Sequence, residues 1–415
     1  MKFFLILSLL LPTLAHTHED HLPLELSFQE SQELWQRHLE RSNLKNLKSK
    51  TDPSVAKAIA GGELLNIWLK KINSNRRSDN QLRLRSRSTG GTVGIPIDKP
   101  MKYGPSTIKA KLEKIIAEAP KEIIEVVYNG KPMTQTNPVK DEDFSHFGAQ
   151  ISNAYQIAVR WETVINRRLS HYKARKKRDV RGFYYLSKEE NLDQKLKAFS
   201  SLSAKDQERI KGHLHTICLN DSLIKANCSK KLKKAIKKNK VLDFKNKYWN
   251  GAIKNWNSFW IIKRPRKDVV WNSSAPNSMK VVFKDPKDSK IANWLKENIE
   301  DEFKTDTWQM EFNFKEDGSG LAYIKFKPGV TPHVSMGNII VMDANAPIDR
   351  ESVKWTIRHE YGHILRMPDC YFEFYDEEEG LAVNYQLDVT DLMCSRSGKM
   401  NERIYKELKR VYYKK

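Results

Sequence analysis

The residues of this chain best suited to chemistry lie in one short run, His359-Glu360-Tyr361-Gly362-His363. On a helix, side chains four positions apart share a face, one turn from each other, so the two imidazoles can hold one divalent ion. Glu360, beside the first histidine, can then reach a water in the ion's open position and act as general base. A catalytic zinc takes three protein ligands and keeps the fourth position for water. Asp369 is the preferred third ligand: it lies six residues after His363, just past the helix-ending Pro368. Glu373, Asp376, Glu377, Glu378 and Glu379 are rivals, although the consecutive acids from Asp376 read first as a solvated loop.

These residues need elements to position them, and the surrounding pattern supplies candidates. Asp349 is a candidate N-cap for a helix from Arg350 to about Leu365 that carries both histidines. Upstream, Lys280–Phe283 reads as a short strand, and Ile291–Phe303 as a helix with apolar residues spaced by four. Trp308–Phe314 alternates as a half-buried strand does, Glu316–Gly320 is a turn, and Leu321–Phe326 and Asn338–Met342 are further strands. Downstream, Ile404, Leu408 and Val411 suit a C-terminal packing helix over Asn401–Tyr412. The pattern is that of an α+β layer structure.

The remainder of the chain differs in charge. Of 415 residues, 73 are Lys or Arg and 51 Asp or Glu, for a net charge of +22. Residues 1–267 hold 52 basic and 26 acidic side chains, whereas residues 268–415 hold 21 and 25, so the excess of base belongs to the N-terminal two-thirds. The 10 Trp, 15 Tyr and 16 Phe supply too much large apolar surface for a disordered chain. The longest apolar run, Phe3–Ala15, is too short to span a bilayer and excludes a multipass membrane protein. With Lys2 before it and Thr13-Leu14-Ala15 at its end, this run has the form of a signal peptide cut after Ala15. The sequence therefore predicts a secreted or periplasmic protein without a transmembrane segment after cleavage. His16, His18 and His21 would then lie in a solvated tail.

Residues 16–94 read as an N-terminal segment ending in the polar, Arg-laced linker Asn73–Gly94. Residues 95–267 read as a basic, mainly helical domain, with helices expected over Ser106–Ala119, Phe147–Leu169 and Leu192–Leu219. Arg175-Lys176-Lys177-Arg178 reads as a loop. Ile224, Cys228, Leu232 and Ile236 recur every four residues between lysines, describing a basic amphipathic helix. Phe244, Tyr248, Trp249, Trp256 and Trp260 follow it and are either core residues or a platform for bases. An anionic envelope surface is the preferred partner of this region and nucleic acid a poor one. Four cysteines allow three connectivities; in an oxidising compartment the preferred pairs are Cys218 with Cys228 and Cys370 with Cys394.

The run from His359 to Asp369 resembles the extended zinc signature of the metzincin metallopeptidases, in the snapalysin-like form with Asp as third ligand. Asp391-Leu392-Met393-Cys394-Ser395 resembles the Met-turn of that clan. The resemblance covers roughly residues 279–415. It implies a catalytic domain over residues 268–415 with a twisted mixed sheet, a zinc-binding active-site helix and a C-terminal helix. It implies that His359, His363 and Asp369 hold one Zn2+ per chain, that Met393 is an apolar floor beneath it, and that Asn338–Met342 is the edge strand facing an extended substrate. A Cys370–Cys394 bond would then clamp the ligand loop to that floor. Two positions depart from the family: Arg366 stands where it has glycine, and Ser395 where several members have tyrosine. The expected activity is hydrolysis of peptide bonds in a peptide or protein substrate by a zinc-activated water. The alternatives are a zinc amidase acting on cell-wall peptide and a polyanion-binding protein with a structural zinc site.

Overall fold

The computed structural model describes residues 52–84, 100–346, 348, 350–395 and 398–414. The expected signal peptide, the three N-terminal histidines, Asp349 and residues 85–94 of the proposed linker lie outside these residues. The described residues form a mixed α and β structure built around three hydrophobic cores.

The first core is helical. Helix α1 (Pro53–Asn73) starts with proline in its first turn and is capped by Asp52, whose carboxylate accepts from Ser54 N at 2.8 Å. Strand β1 (Met101–Tyr103) and helices α2 (Pro105–Glu118), α3 (Lys121–Tyr128) and α4 (Asp141–Glu162) complete it. Gly61 and Gly62 let α1 approach closely, because a Cβ at either would collide with the ring of Tyr128 or the side chain of Tyr155. Leu82 and Leu84 are buried in the same core. The reading of residues 16–94 as a separate segment and linker is therefore corrected: residues 53–84 belong to the helical body, held by apolar contacts too distant in sequence to show as a local pattern.

The second core gathers α6 (Arg181–Lys188), α7 (Leu192–Lys197), α8 (Ala204–Ser222), α9 (Lys225–Lys237) and α10 (Val241–Asn257). The single helix expected over Leu192–Leu219 is two, because Ser203 starts a new one by accepting from Asp206 N at 3.1 Å. A disulfide joins Cys218 to Cys228 across the α8–α9 turn. Phe244 and Tyr248 are buried, and Trp249 packs on Phe183 with ring centroids 4.9 Å apart. These aromatics are core residues. Arg175–Arg178 is helical, not a loop: it ends α5 (Leu169–Arg175) and continues as a 3-10 turn, with Lys176 paired to Asp376 at 3.0 Å.

The third core lies under a five-stranded sheet and the three-stranded sheet beside it. Strand β3 (Ser278–Lys284) pairs antiparallel with β2 (Val269–Asn272) and parallel with β5 (Trp308–Lys315), whose other edge carries β4 (Lys304–Thr305). Their alternate side chains are buried, as the period-two pattern requires. The expected helix over Ile291–Phe303 is α11 (Ser289–Leu295) followed by a π turn, Lys296–Glu300. Strands β6 (Tyr323–Lys327) and β8 (Ile339–Asp343) run parallel, and β7 (His333–Ser335) lies antiparallel on the outer side of β8. A bridge from Phe283 to Ala322 joins the two groups. The expected edge strand is thus corrected: Asn338–Met342 is internal, and the edge is β7.

Beyond β8 come α12 (Glu351–Ile364), the hairpin β9 (Tyr371–Asp376) and β10 (Leu381–Gln386), α13 (Glu402–Tyr412) and the short β11 (Tyr413–Lys414), which pairs with β2. The hairpin is not confined to the C-terminal third. Strand β1 adds to β10 as a third strand, with Tyr103 opposite Ala382, and Ala382 is buried in the first core.

Candidate metal centre

Helix α12 carries Val353, Ile357, Tyr361 and Ile364 on its buried side. Its N-cap position is Arg350. The Arg350 guanidinium turns away into α4, donating to Ser152 and to Asn153 Oδ1 at 2.8 Å. At the other end, Arg366 N donates to His363 O at 2.9 Å and Met367 N to Gly362 O at 3.0 Å. These two bonds form a Schellman motif, which requires a left-handed residue between helix and exit chain. Arg366 supplies it with φ of +67°. The buried carbonyl of Leu365 accepts from the Tyr412 hydroxyl of α13 at 2.8 Å.

The sharp reversal brings Asp369 back to both histidines. Its Oδ1 lies 3.1 Å from His359 Nε2 and 3.1 Å from His363 Nε2. Each ring is oriented through its other nitrogen: His359 Nδ1 lies 3.0 Å from Leu392 O, and His363 Nδ1 lies 2.8 Å from Met367 O. A proton on each Nδ1 leaves the Nε2 lone pairs directed at one point. Burial disfavours the His363 cation, yet the Asp369 carboxylate beside it reverses this and pushes its pKa up to about 9. Burial likewise opposes the Asp369 charge, but the two imidazoles hold it well below the usual carboxylate range.

This donor set fits zinc. Tetrahedral bonds of about 2.1 Å place ligand atoms roughly 3.4 Å apart, close to the separations found here. Glu360 is buried and its Oε2 has no hydrogen-bond partner among the described residues. Met393 is fully buried against the helix turn between the histidines, where a Cβ on Gly362 would collide with its sulfur. Cys370 and Cys394 are joined by a disulfide, and Cys370 N donates to Met393 O at 3.1 Å. The loop bearing Asp369 is therefore fastened to the turn bearing Met393. Asp391, also fully buried, orders that turn by accepting from Met393 N at 2.8 Å and from Arg403 of α13 at 2.7 Å.

The rival carboxylates are occupied elsewhere. Glu373 is buried in a two-bond pair with Arg160 of α4, both contacts at 2.8 Å, and also accepts from the Tyr103 hydroxyl. Asp376 pairs with Lys176, Glu377 with Lys173 and Glu379 with Lys102. Glu378 donates its backbone N–H to Asp376 at 3.1 Å and has no part in the centre. Sequence reasoning missed Arg160, Tyr103 and the role of Asp391. It also missed Tyr371, whose ring lies 5.9 Å from that of His359 and beneath the Arg160 guanidinium. No local pattern marks Arg160, because its partner is 213 residues away. Asp391 had one signal, its place two residues before Met393. Ser395 is buried at the end of that turn, its N–H donating to Asp391 O at 3.0 Å.

Comparison with protein-family models, with curated proteins and with solved structures finds no match to this chain.

Proposed function

We propose that this protein is an exported, zinc-dependent endopeptidase of the metzincin type. The convergence of His359 Nε2, His363 Nε2 and Asp369 Oδ1, each imidazole anchored on a backbone carbonyl, is the observation that carries the reading. The mixed five-stranded sheet, the methionine against Gly362 and the left-handed residue ending α12 support the metzincin type. Two disulfides support an oxidising compartment. Among the described residues no helix is long and apolar enough to cross a membrane.

When bound, zinc would acidify a water and polarise the scissile carbonyl. His359, His363 and Asp369 hold it; Met393 and the disulfide fix the distance between ligand loop and floor. Glu360, with one carboxylate oxygen free, takes the proton from the attacking water and delivers it to the leaving amine. Strand β7, whose outer edge is unpaired in its sheet, offers backbone groups to an extended peptide.

The test is a pair of variants. Glu360→Gln should retain one zinc per chain by elemental analysis and lose at least a thousandfold in turnover of a peptide library. His363→Ala should lose the metal itself. Hydrolysis by Glu360→Gln near the wild-type rate would overturn the assignment of the base.

A further inference from the structure

We propose that α9 and the turn before it form a docking surface for a membrane rich in anionic lipid, independent of the proposed peptidase site. Lys225, Lys230, Lys231, Lys233, Lys234, Lys237, Lys238 and Lys240 fall within 16 residues, and no acidic residue lies between Asp221 and Asp243. All eight are exposed. Helix α9 turns Cys228 and Leu232 into the second core, so Lys230, Lys233, Lys234 and Lys237 cover the opposite face. Elsewhere in this helical body several cations are met by acid: Lys195 and Arg209 bind Glu189, and Lys245 binds Asp193. No ion pair to any of the eight is found among the described residues. Unneutralised positive charge on one helix face calls for a polyanionic partner.

The turn decides which polyanion. Leu223 and Ile224 are exposed, 38% and 53% respectively, at the entry to α9. They are two of the five large exposed hydrophobic residues among those described. The turn is held in place, because the Cys218–Cys228 disulfide bridges α8 and α9 across it and Leu223 takes a left-handed conformation with φ of +55°. A rigid apolar tip beside a lysine-covered helix suits the boundary between headgroups and acyl chains. A soluble polyanion would use the lysines but leave Leu223 and Ile224 in water. A nucleic acid would want exposed rings, and the aromatic residues of α10 are buried or packed on one another.

The experiment uses the full chain and vesicles of phosphatidylglycerol with phosphatidylcholine, against phosphatidylcholine alone, at 0.1 and 0.5 M salt. The expected result is sedimentation with the anionic vesicles only, weakened at the higher salt. Each lysine near such a surface contributes about fivefold, so Lys230→Gln, Lys234→Gln and Lys237→Gln together should lower partitioning about a hundredfold. Leu223→Ser with Ile224→Ser should lower it at least tenfold while leaving retention on heparin unchanged. The emission of Ile224→Trp, taken as the difference from the wild-type chain with its 10 Trp, should shift to the blue on anionic vesicles, a readout that does not require the serine variant to fold. No sedimentation with anionic vesicles at 0.1 M salt overturns the proposal. So does full sedimentation of the folded serine variant, which would assign the lysines to a soluble polyanion.

Discussion

A methyl group added at Gly362 would run into the Met393 sulfur and the Met367 methyl. Gly362→Ala should therefore destabilise the fold by about 1–3 kcal/mol, despite the better helix propensity of alanine, and should weaken zinc retention. Denaturant unfolding and metal content of the same preparation check both. Arg366 presents the opposite case: it holds φ of +67° with a Cβ, which costs about 1 kcal/mol or more. Arg366→Gly should raise stability by about 1 kcal/mol in the same assay. At this scale the proposed site was largely legible. His359, Glu360 and His363 announce themselves because helical spacing converts sequence distance into a shared face. Asp369 was legible because only one reversal separates it from His363. Its competitors could be ranked but not dismissed from sequence, since the lysines and arginine that occupy them lie far away in the chain.

Among elements, the turn after Asp391 shows how a floor is kept under a helix. The Asp391 carboxylate is buried and receives Met393 N, Asn401 and Arg403. Asp391→Asn keeps an acceptor for Met393 N but breaks the charge pair with Arg403. It should cost about 3 kcal/mol, the lower end for a buried pair because Arg403 is part exposed. Thermal unfolding measures the cost, and a zinc affinity equal to wild type would show that Arg403 does not support the centre. Strands and helices with strong periodicity, such as β5, α12 and α13, were readable in advance. Strand order was not: β7 has three residues, too few to show a period, and so the outermost strand could not be told from its neighbour. The π turn after α11 likewise leaves the spacing of apolar residues unchanged and has no signature in the pattern.

For the whole molecule, the helical body and the sheet are joined by buried polar contacts. The Asp343 carboxylate at the end of β8 accepts from the Tyr155 hydroxyl of α4 at 2.6 Å. Burial lifts its pKa to about 7, against the hydrogen bonds from Tyr155, Asn345 N and Gly329 N, with Glu63 adding to the rise. In the unfolded chain it titrates near 3.9. Between about pH 4 and 7 the native state therefore holds a proton that the unfolded state has released, and this group's contribution to stability falls as pH rises. Asp343→Asn should remove that slope, gaining stability over wild type at pH 8 and little at pH 4. Paired thermal melts across that range check the sign. The charge division near residue 268 was visible in composition, but the joint itself was not. Tyr103 with Glu373 and Arg160 with Glu373 cross it, and neither side announces the other.

Those long-range bonds also set an order in time. Tyr103 and Glu373 are 270 residues apart, and the Tyr412 and Arg403 side chains that finish α12 and the methionine turn sit on the last helix described. Contacts of such separation form late, after the loop-closure entropy between them has been overcome. A chain emerging N-terminus first can complete its second core, residues 186–252, early, whereas Arg403 and Tyr412 can reach the methionine turn and α12 only after they have emerged themselves. The proposed site is thus finished by side chains that arrive after its own ligands, and a nascent chain would be spared the chemistry proposed for it.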